Sequence, residues 1–435
     1  MCSTVENKNL VVAGFGKSGQ ASARFLIDKG LSFSVWDTRH DIAIPDWVNG
    51  PFYAGQLPDD FWQNTDIAVV SPGLALSHPE LQRATAHGVE LIGEIELFAR
   101  YNQASVIGIT GSNGKTTVTL LVTHILKAAG IDVVAAGNVG RPALSTLNAT
   151  PDWVVLELSS FQLETTHSLQ LEAATILNIS DDHLDRHRTL TAYSDAKQRI
   201  YNNATHALCW REQQVTYPLQ LSVTVTEFGA SATNDDFGLS DGWITWQGEK
   251  VLDISKVKLT GTHNILNIQA AIGLAMLAGV SASAAAEAVY TFEPVPHRCV
   301  QIANHNDVRW IDDSKATNAG ATLAAITGIR PQCSGKLILI AGGDAKGADL
   351  SVLSEALKAH VDTLITLGKD GPAIAALSPD AIQVETMRTA VQQANKLASA
   401  GDIVLLSPAC ASLDMFENYE HRAAVFKDAV NEVCA

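Results

Sequence analysis

Short apolar runs, rich in valine, isoleucine and leucine, alternate with helical patterns along most of the chain. Such runs predict buried strands of parallel sheets, because helices cover both faces of these strands. Most runs end in glycine or polar residues, which places candidate chemistry at the carboxyl ends of strands. The predicted strands are Leu10–Ala13, Phe33–Trp36, Ile67–Val70, Val89–Ile92, Ser105–Thr110, Val133–Ala136, Trp153–Glu157, Ala174–Leu177, Arg309–Asp312, Lys336–Ala341 and Ile403–Leu406.

Two interruptions of this alternation divide the chain. The first lies near Gly93, and the second is Pro294-Val295-Pro296-His297-Arg298, where two prolines break both strand and helix. We therefore predict an α/β protein of three domains, 1–93, 94–297 and 298–435. The first and third are Rossmann-like, and the second is a P-loop-type mononucleotide-binding domain with a mainly parallel sheet. Within it, short alternating segments between Cys209 and Leu259 predict small antiparallel ribbons.

The strand Ser105–Thr110 leads into a glycine-rich turn and a helix that we predict from Val118 to Ala129. Glycines let a backbone wrap an anion, the helix N-terminus points at it, and a lysine adds charge. A strict phosphate-loop pattern has glycine where this chain has Ile109, so an ordinary strand-to-helix turn is the alternative. We predict a nucleoside triphosphate site formed by Gly111, Ser112, Asn113, Gly114, Lys115, Thr116 and Thr117.

A second glycine-rich turn, Gly14-Phe15-Gly16-Lys17-Ser18-Gly19, follows the first strand. An acidic residue, Asp37, follows about 20 positions later, as in dinucleotide-binding folds. A nicotinamide enzyme would continue this domain into a second half, but a separate phosphate loop begins after about 90 residues. We therefore favour a nucleotide diphosphate here. The turn Ser71-Pro72-Gly73 should lie beside the first loop, although a plain turn is an equal alternative.

Polar residues at further strand ends suggest a cation site. Glu157 ends a buried strand beside the phosphate loop, which suits a hard cation, whereas a helix-capping or salt-bridged role is the alternative. Asp182 and His183 follow another strand. A zinc-protease reading of His183 and His187 fails, because Leu184 stands where that motif needs glutamate. Lys197 comes next, and a lone lysine of this kind is more often a solvated surface residue.

The third domain gathers polar residues after three of its predicted strands. They begin at Asp313, Gly342 and Ser407, which predicts a binding face at the carboxyl edge of this sheet.

A long alanine-rich helix follows Gly261 in the second domain. It begins with amide-bearing residues that suit a base or ribose.

Composition removes several classes of function. The 435 residues are 46% hydrophobic and carry a net charge of −16, which favours a globular protein and disfavours nucleic acid and anionic membranes as partners. No apolar run is long enough to insert in a membrane, and the polar residues 1–9 lack a signal core, so we expect a cytoplasmic protein. The six cysteines are scattered and contain no Cys-x-x-Cys pair.

Together these motifs resemble the Mur ligases, ATP-dependent amide-forming enzymes of peptidoglycan precursor synthesis. The resemblance covers nearly the whole chain. It rests on Thr110–Thr116, Glu157–Leu163, Asp182–Arg186, His263-Asn264 with Asn267, His297-Arg298, and Asp313–Asn318. The compact first domain and the block Ser407–Asp414 look specifically like the members that add D-glutamate to UDP-N-acetylmuramoyl-L-alanine.

The resemblance implies ATP and two Mg²⁺ ions as cofactors. By analogy, Lys115, His183 and Lys197 are catalytic, and Lys197 is carbamylated by CO₂, which makes it an anionic oxygen ligand. The implied metal ligands are Thr116, Glu157, His183 and Lys197. In addition to the phosphate loop, the implied ATP-binding residues are Asn267, Arg298, Asp313 and Lys315.

We expect a monomer whose partners are small-molecule substrates. The resemblance also implies two substrate sites. The residues expected to bind the UDP substrate are Lys17, Ser18, Asp37, Thr38, Arg39, Ser71, Pro72, Gly73, Asn138 and His183. Those expected to bind D-glutamate are Thr317, Lys346, Ser412 and Tyr419. Tyr419 stands where the family often has phenylalanine, a change of little consequence if only its backbone N–H is used.

Three other functions remain as alternatives. A ligase for another amino acid, or one that adds glutamate to folate, fits the phosphate loop, but the first domain argues against folate. A nucleotide sensor with a degenerate site is disfavoured by the presence of Lys115, Glu157, His183 and Lys197 together. A dinucleotide oxidoreductase is the weakest alternative.

Overall fold

The computed structural model describes residues 5–220, 222–259, 261–293 and 296–434. Its sheets follow one another along the chain, as the alternation of strands and helices predicts. Pro294 and Val295, at the second predicted boundary, lie outside the described residues, as do residues 1–4 of the predicted first domain. No helix within the described ranges has the length and apolar character needed to cross a bilayer.

The first sheet has five parallel strands in the order β3-β2-β1-β4-β5. Successive residues of its strands point to opposite faces, so that Val11 and Val12 of β1 belong to different apolar clusters. Its elements are β1 (Leu10–Ala13), α1 (Lys17–Asp28), β2 (Phe33–Asp37), β3 (Phe52–Ala54), β4 (Ile67–Val70), α2 (Pro79–Ala86) and β5 (Glu90–Ile92).

The central sheet has six parallel strands in the order β11-β10-β9-β6-β8-β7. A three-stranded antiparallel sheet, β12-β13-β14, accompanies it. The elements are α3 (Glu94–Tyr101), β6 (Ser105–Thr110), α4 (Lys115–Ala128), β7 (Val133–Gly137), β8 (Trp153–Glu157), α5 (Ser160–Leu163), β9 (Leu171–Ile176), α6 (Leu184–His187), α7 (Leu190–Gln198), β10 (Ala204–Trp210), β11 (Thr224–Phe228), β12 (Phe237–Ser240), β13 (Trp243–Trp246), β14 (Glu249–Asp253), α8 (Thr262–Leu277) and α9 (Ala282–Tyr290).

The antiparallel ribbons predicted between Cys209 and Leu259 are confirmed for β12 to β14, but the prediction is wrong for the start of that segment. β11 pairs in parallel with β10 and forms the edge of the central sheet. β11 alternates threonine and valine because an edge strand is partly exposed to solvent. A partly exposed strand of an antiparallel ribbon has the same alternation, so the pattern does not distinguish the two.

The first sheet is joined to the central sheet by apolar packing. Phe25 and Leu26 of α1 and Phe98 of α3 belong to one buried cluster with Val154 and Leu156 of β8. Burial of this apolar surface fixes the first glycine-rich turn relative to the central domain.

The third sheet has the order β15-β16-β20-β17-β18-β19, with β15 antiparallel to β16 and the other pairs parallel. Leu339 and Ile340 of β17 enter opposite apolar clusters, so helices cover both faces. The elements are β15 (Val300–His305), β16 (Val308–Asp312), α10 (Ala319–Ile329), β17 (Leu337–Gly342), α11 (Ser354–His360), β18 (Thr363–Leu367), α12 (Gly371–Ala375), β19 (Ile382–Gln383), α13 (Met387–Leu397), β20 (Ile403–Leu406) and α14 (Tyr419–Cys434).

The central and C-terminal domains meet at the carboxyl ends of their strands. Asn318 caps α10 and donates from Nδ2 to the Oδ1 of Asn113 in the phosphate-loop turn, at 3.0 Å. The polar residues predicted at strand ends on both domains therefore face one another across a shared cleft.

Candidate functional site

The turn after β6 forms a loop whose shape depends on glycine. Gly114 has a φ of +85°, and a Cβ there would lie 2.4 Å from the Oδ1 of Asn267. α4 begins at the next residue, so the N–H groups of its first turn, which have no partner inside the helix, face the loop. The Nζ of Lys115 donates to the carbonyls of Gly111 and Ser112, at 2.7 and 2.8 Å. This arrangement of donors suits a bound phosphate.

One buried carboxylate faces the loop from the neighbouring strand. Glu157 is only 2% exposed, and its Oε1 accepts a hydrogen bond from the Nδ2 of Asn138 at 2.7 Å. Its buried Oε2 has no partner among the described residues. An unpartnered oxygen in a protein interior costs free energy unless a ligand satisfies it. Glu157 and Thr116 line the same cavity, so their oxygens fit a hard divalent cation.

His183 follows β9 in a left-handed conformation, with a φ of +54°. Its ring lies edge-on to Phe161, with centroids 4.9 Å apart, and its Nε2 lies 3.8 Å from the Oδ1 of Asp182. Burial, together with the charges of Lys346 and Lys115, lowers the pKa of His183 to about 4 against the opposing charge of Asp182. The imidazole is therefore neutral at neutral pH and has a lone pair for a metal ion.

Lys197 is not the solvated lysine that its isolated position suggests. It is 1% exposed, and its Nζ donates to the Oγ1 of Thr110 at 3.2 Å and to the carbonyl of Gly111 at 3.0 Å. The Nζ also lies 4.6 Å from the ring centroid of Tyr193. Burial, followed by the charge of Lys115, lowers the pKa of Lys197 well below its usual value. This favours the uncharged amine, which is the nucleophilic form of lysine.

No group of three or more histidine, cysteine, aspartate or glutamate side chains in the described part of the chain is arranged to hold a metal ion. The four predicted metal ligands are not a group of that kind, because only Glu157 and His183 are of these residue types. The other two are the hydroxyl of Thr116 and a modified Lys197. All four residues line one cavity of about 280 Å³.

A second cavity, of about 310 Å³, opens between the central and C-terminal domains. Trp210 and Phe228 contribute aromatic surface, Asn267 contributes an amide, and Arg298 contributes a charged group. Its size and mixed lining fit a ligand such as adenosine. Because Asn113 lines both cavities, the base-sized space is continuous with the phosphate loop.

Asp313 is fixed by neighbours within the C-terminal domain. Its Oδ2 accepts from the Oγ of Ser407 at 2.7 Å, and its Oδ1 accepts from the N–H of Cys299 at 3.3 Å. Burial raises the pKa of Asp313 to about 7, against the opposing effects of Ser407 and Arg298. It lines the base-sized cavity, as predicted for a nucleotide-binding residue.

Lys315 lies two residues further along and lines both cavities. Its Nζ is 3.7 Å from the ring centroid of Tyr419. Burial lowers the pKa of Lys315 to about 8, and the charge of Arg298 contributes. Two residues expected to bind different substrates are therefore in direct contact.

The other residues predicted for D-glutamate are divided between the cleft and the loop after β20. Thr317 lines the cavity that contains the predicted metal ligands. Lys346 reaches the central domain, where its Nζ lies 2.5 Å from the Oδ1 of Asp182. Ser412 is 4% exposed and lines neither cavity.

In the first domain, Asp37 organises the glycine-rich turn. It accepts the N–H of Phe15 at 2.7 Å and the Nε and Nη2 of Arg39 at 2.8 and 2.9 Å. Burial opposes ionisation of Asp37, but these donors hold its pKa at about 2. A Cβ at Gly19 would lie 1.9 Å from the carbonyl of Gly14, so the turn requires glycine there.

The other predicted UDP-binding residues lie near this turn and along the path to the cleft. Lys17 and Ser18 begin α1, and the Oγ of Ser71 donates to the Gly14 carbonyl at 2.7 Å. Pro72 and Gly73 line the cavity that also holds Asn138 and His183. The predicted residues that line neither cavity are Lys17, Ser18, Asp37, Thr38, Arg39, Ser71, Gly111, Lys346, Ser412 and Tyr419.

Two residues that shape the site received no role from the sequence. Asn178 accepts the N–H of Asn113 at its Oδ1, at 2.8 Å, and donates from Nδ2 to the Asn113 carbonyl at 3.0 Å. Tyr193 lies beside Lys197. Both residues lie on α7, where a spacing of four residues places Tyr193 and Lys197 on one face, whereas nothing local links Asn178 to the loop.

Three family models match the chain in succession. Residues 8–93 match the Mur ligase MurD-like N-terminal domain, residues 109–275 the Mur ligase middle domain, and residues 297–410 the Mur ligase glutamate ligase domain. The chain belongs to the Mur ligase family. The resemblance inferred from the motifs is thus confirmed, and with it an ATP-dependent enzyme that forms carbon–nitrogen bonds.

Full-length relatives of this Mur ligase are similar to it from end to end. The UDP-N-acetylmuramoylalanine--D-glutamate ligase of Pseudomonas savastanoi pv. phaseolicola is 44% identical over 440 residues, which cover 98% of each chain. The enzyme of the same name from Escherichia coli (strain K12) is 43% identical, with 98% of this chain and 99% of the relative covered.

Solved structures of Mur ligases have the same fold. UDP-N-acetylmuramate-alanine ligase MurC from Thermotoga maritima has a TM-score of 0.62 at 19% identity. The superposition covers 98% of this chain and 100% of the MurC chain. MurF ligase from Thermotoga maritima in complex with ADP has a TM-score of 0.62 at 16% identity and covers 99% of this chain and 97% of its own. The predicted three-domain α/β fold is therefore confirmed.

Proposed function

We propose that this Mur ligase adds D-glutamate to UDP-N-acetylmuramoyl-L-alanine at the expense of ATP, with release of ADP and phosphate. The observation that carries the proposal is the full-length identity of 43–44% to relatives named for that reaction. The match of residues 8–93 to a MurD-like N-terminal domain supports the same choice within the family.

Each substrate has its own domain in this proposal. Residues 1–93 hold the UDP group, residues 94–297 hold ATP on the phosphate loop, and residues 298–435 hold D-glutamate and close over ATP. The start of α4 at Lys115, and the Lys115 ammonium that the carbonyls of Gly111 and Ser112 hold against the loop, support the phosphate role. The base-sized cavity beside Asn267 supports an adenosine role for Arg298, Asp313 and Lys315.

The residues present fit two Mg²⁺ ions. The unpartnered Oε2 of Glu157 and the hydroxyl of Thr116 would hold one ion near the ATP phosphates. The neutral imidazole of His183 and a carbamylated Lys197 would hold the other. Metal ions held by these residues would neutralise the negative charge that gathers between phosphate and carboxylate.

The surroundings of Lys197 favour carbamylation. Carbamate formation requires an uncharged amine, whose nitrogen bonds to the carbon of CO₂ and loses a proton. Burial of the amine, followed by the nearby charge of Lys115, disfavours the ammonium form. The resulting carbamate is an anion whose oxygens are suitable Mg²⁺ ligands.

The chemistry proceeds through an acyl phosphate. The L-alanyl carboxylate attacks the γ-phosphorus of ATP, and Lys115 and the loop N–H groups stabilise the charge on the transferred group. The D-glutamate amine then attacks the acyl carbon, and the tetrahedral intermediate collapses with loss of phosphate. Lys346 and Thr317 hold the carboxylates of D-glutamate, with Ser412 and the backbone of Tyr419.

The proposal also includes the setting of the enzyme. The use of ATP and a UDP-linked precursor favours action in the cytoplasm on small-molecule substrates, and the monomer stays our working hypothesis. No role for nucleic acid or for membrane insertion is included.

Phosphate release from ATP tests the proposed function. The purified chain receives UDP-N-acetylmuramoyl-L-alanine with D-glutamate, L-glutamate, L-lysine or glycine in separate reactions. We expect release with D-glutamate only. Equal release with L-lysine or glycine would assign a different ligase, and no amino-acid-dependent release would overturn the proposal.

A further inference from the structure

The side chain of Tyr419 makes a contact that a role for its backbone alone leaves unexplained. Tyr419 begins α14, and its ring centroid lies 3.7 Å from the Nζ of Lys315. An ammonium over an aromatic face at this distance forms a cation–π interaction, because the face of the ring carries partial negative charge.

Lys315 depends on this contact more than other lysines of the cleft do. Among the residues that the structure describes, its Nζ forms neither an ion pair nor a hydrogen bond. Burial of the group and the charges of Arg298 and Lys115 disfavour its ammonium form, against the opposing charge of Glu157. Lys197, by contrast, donates to Thr110 and Gly111 as well as lying over a ring.

The first turn of α14 is itself firmly held. The Nη2 of Arg422 donates to the carbonyl of Ser314 at 2.7 Å, and its Nη1 donates to the carbonyl of Cys410 at 3.0 Å. Ser314 precedes Lys315, so one helical turn contacts both the backbone before this lysine and the lysine itself. The hydroxyl of Tyr419 has Glu420 as its hydrogen-bond partner.

Lys315 also stands at the junction of the two cavities, one base-sized and one containing the phosphate loop. An ammonium there faces the region in which the phosphates of a bound nucleotide would lie. Its flexible four-carbon stem allows many other positions, so a fixed position must be supplied by a neighbour.

We propose that Tyr419 is a positioning residue whose aromatic face holds the ammonium of Lys315 towards the phosphates of ATP. This inference rests on the ATP site of the proposed function and deepens it. It assigns the ring a role separate from the Tyr419 N–H, which remains available to D-glutamate. Phenylalanine would satisfy the same role, whereas an aliphatic residue of similar size would not.

Successive fluorination of the ring tests the inference without changing its shape. Tyr419→Phe is prepared with phenylalanine and with increasingly fluorinated phenylalanines, and ATP affinity is measured by calorimetry in the presence of Mg²⁺. Fluorine withdraws charge from the ring face. We expect the Kd for ATP to rise stepwise, by about 5-fold or more overall, in line with a cation–π interaction of about 1 kcal/mol.

Two controls make the result specific. In a Lys315→Met background, the Kd for ATP should not change along the same series, because no cation remains over the ring. Fluorination of Phe416, whose ring packs against His421 at a centroid distance of 5.8 Å, should leave the Kd unaltered. Tyr419→Leu should weaken ATP binding at least as much as the most fluorinated ring.

A flat fluorination series in the Lys315 background would overturn the inference, as would an equal slope in the Lys315→Met background. A rise in the KM for D-glutamate with ATP affinity unchanged would also overturn it, because the ring would then act on the amino acid. ATP binding is measured without the other substrates, so this test gives a result even if D-glutamate-dependent phosphate release fails.

Discussion

The Nζ of Lys346 lies 2.5 Å from the Oδ1 of Asp182, and this ion pair joins the C-terminal domain to the central domain. Asn318 reinforces it by donating to the Oδ2 of Asp182 at 3.2 Å. If Lys346 binds a carboxylate of D-glutamate, Asp182 occupies in this structure the position of that carboxylate. The amino acid must therefore compete with an internal anion for the same lysine.

Lys346→Met should raise the KM for D-glutamate by about 10- to 100-fold, since a charge-assisted hydrogen bond contributes about 1.5–3 kcal/mol. The KM for ATP should change little. Lys369→Met is the matched control, because Lys369 pairs with Asp344 on the solvent-exposed surface of the same domain. Steady-state kinetics with D-glutamate varied provides the measurement. Equal KM values for the two variants would remove Lys346 from the amino-acid site.

Lys197→Ala should lower kcat by roughly 10- to 100-fold or more, the range expected when the environment of a bound metal is disrupted. Short carboxylates in the buffer should restore part of the activity, since they supply the missing anion. Lys127→Ala, an exposed residue in the last turn of α4, should retain activity. With ¹³C-labelled bicarbonate, a carbamate resonance should be present in the unmodified protein and absent in Lys197→Ala. Full activity of Lys197→Ala would exclude the carbamate.

Gly114→Ala should lower kcat/KM for ATP by about 100-fold, because the new Cβ meets Asn267 and distorts the donors of the loop. Gly130→Ala is a matched control, since Gly130 also has a positive φ, of +80°, but has open space around its Cβ position. Both variants pay backbone strain of about 1–2 kcal/mol. Thermal unfolding should therefore shift in both variants, and by more in Gly114→Ala because of the contact with Asn267, whereas kcat/KM for ATP should change only in Gly114→Ala. Similar kinetics for both would argue that loop shape is unimportant.

Glu94 should give the protein a stability that falls with rising pH. Its Oε1 accepts the N–H of Leu144 at 2.8 Å, but burial raises its pKa from 4.5 to about 7. The unfolded chain releases this proton first, so the unfolding free energy decreases between about pH 4.5 and pH 7 and then levels off. Glu94→Gln should remove this loss and raise the midpoint of thermal unfolding at about pH 8 relative to the parent.

Glu96→Gln is the control, because it should shift the midpoint of thermal unfolding in the opposite direction. Glu96 accepts the N–H groups of His167 and Ser168 at 2.7 and 2.8 Å, and these bonds outweigh burial and lower its pKa. Its charged form stabilises the folded state, so Glu96→Gln should lower the same midpoint at neutral pH. A lower midpoint for Glu94→Gln at about pH 8 would contradict the assignment of a raised pKa to Glu94.

Local pattern was sufficient for the fold and for the positions of the polar turns. The run Ser105–Thr110 and the strand Trp153–Glu157 are found as predicted, because buried parallel strands need continuous apolar residues. α4 begins at Lys115, three residues before the predicted start, since its first turn belongs to the phosphate loop. Boundaries of this kind depend on the loop, which periodicity does not describe.

Contacts between segments that are distant in the chain could not be predicted from the sequence. Asn138 meets Glu157 because Gly137 pairs with Glu157 in the register of β7 and β8, and no local pattern fixes that register. Lys197 is buried because α7 packs beside the phosphate loop. Its position in the chain indicated a surface lysine, and only the family resemblance pointed to the opposite conclusion.

The most direct measurement of the central claim follows an oxygen atom. UDP-N-acetylmuramoyl-L-alanine labelled with ¹⁸O in its carboxylate is incubated with ATP, Mg²⁺ and D-glutamate, and the products are analysed by mass spectrometry. The account predicts a product in which the L-alanyl carbonyl forms an amide with the nitrogen of D-glutamate, and it predicts carboxylate ¹⁸O in the released phosphate, because the C–O bond of the acyl phosphate breaks. Formation of the amide with unlabelled phosphate, or no amide with D-glutamate, would contradict it.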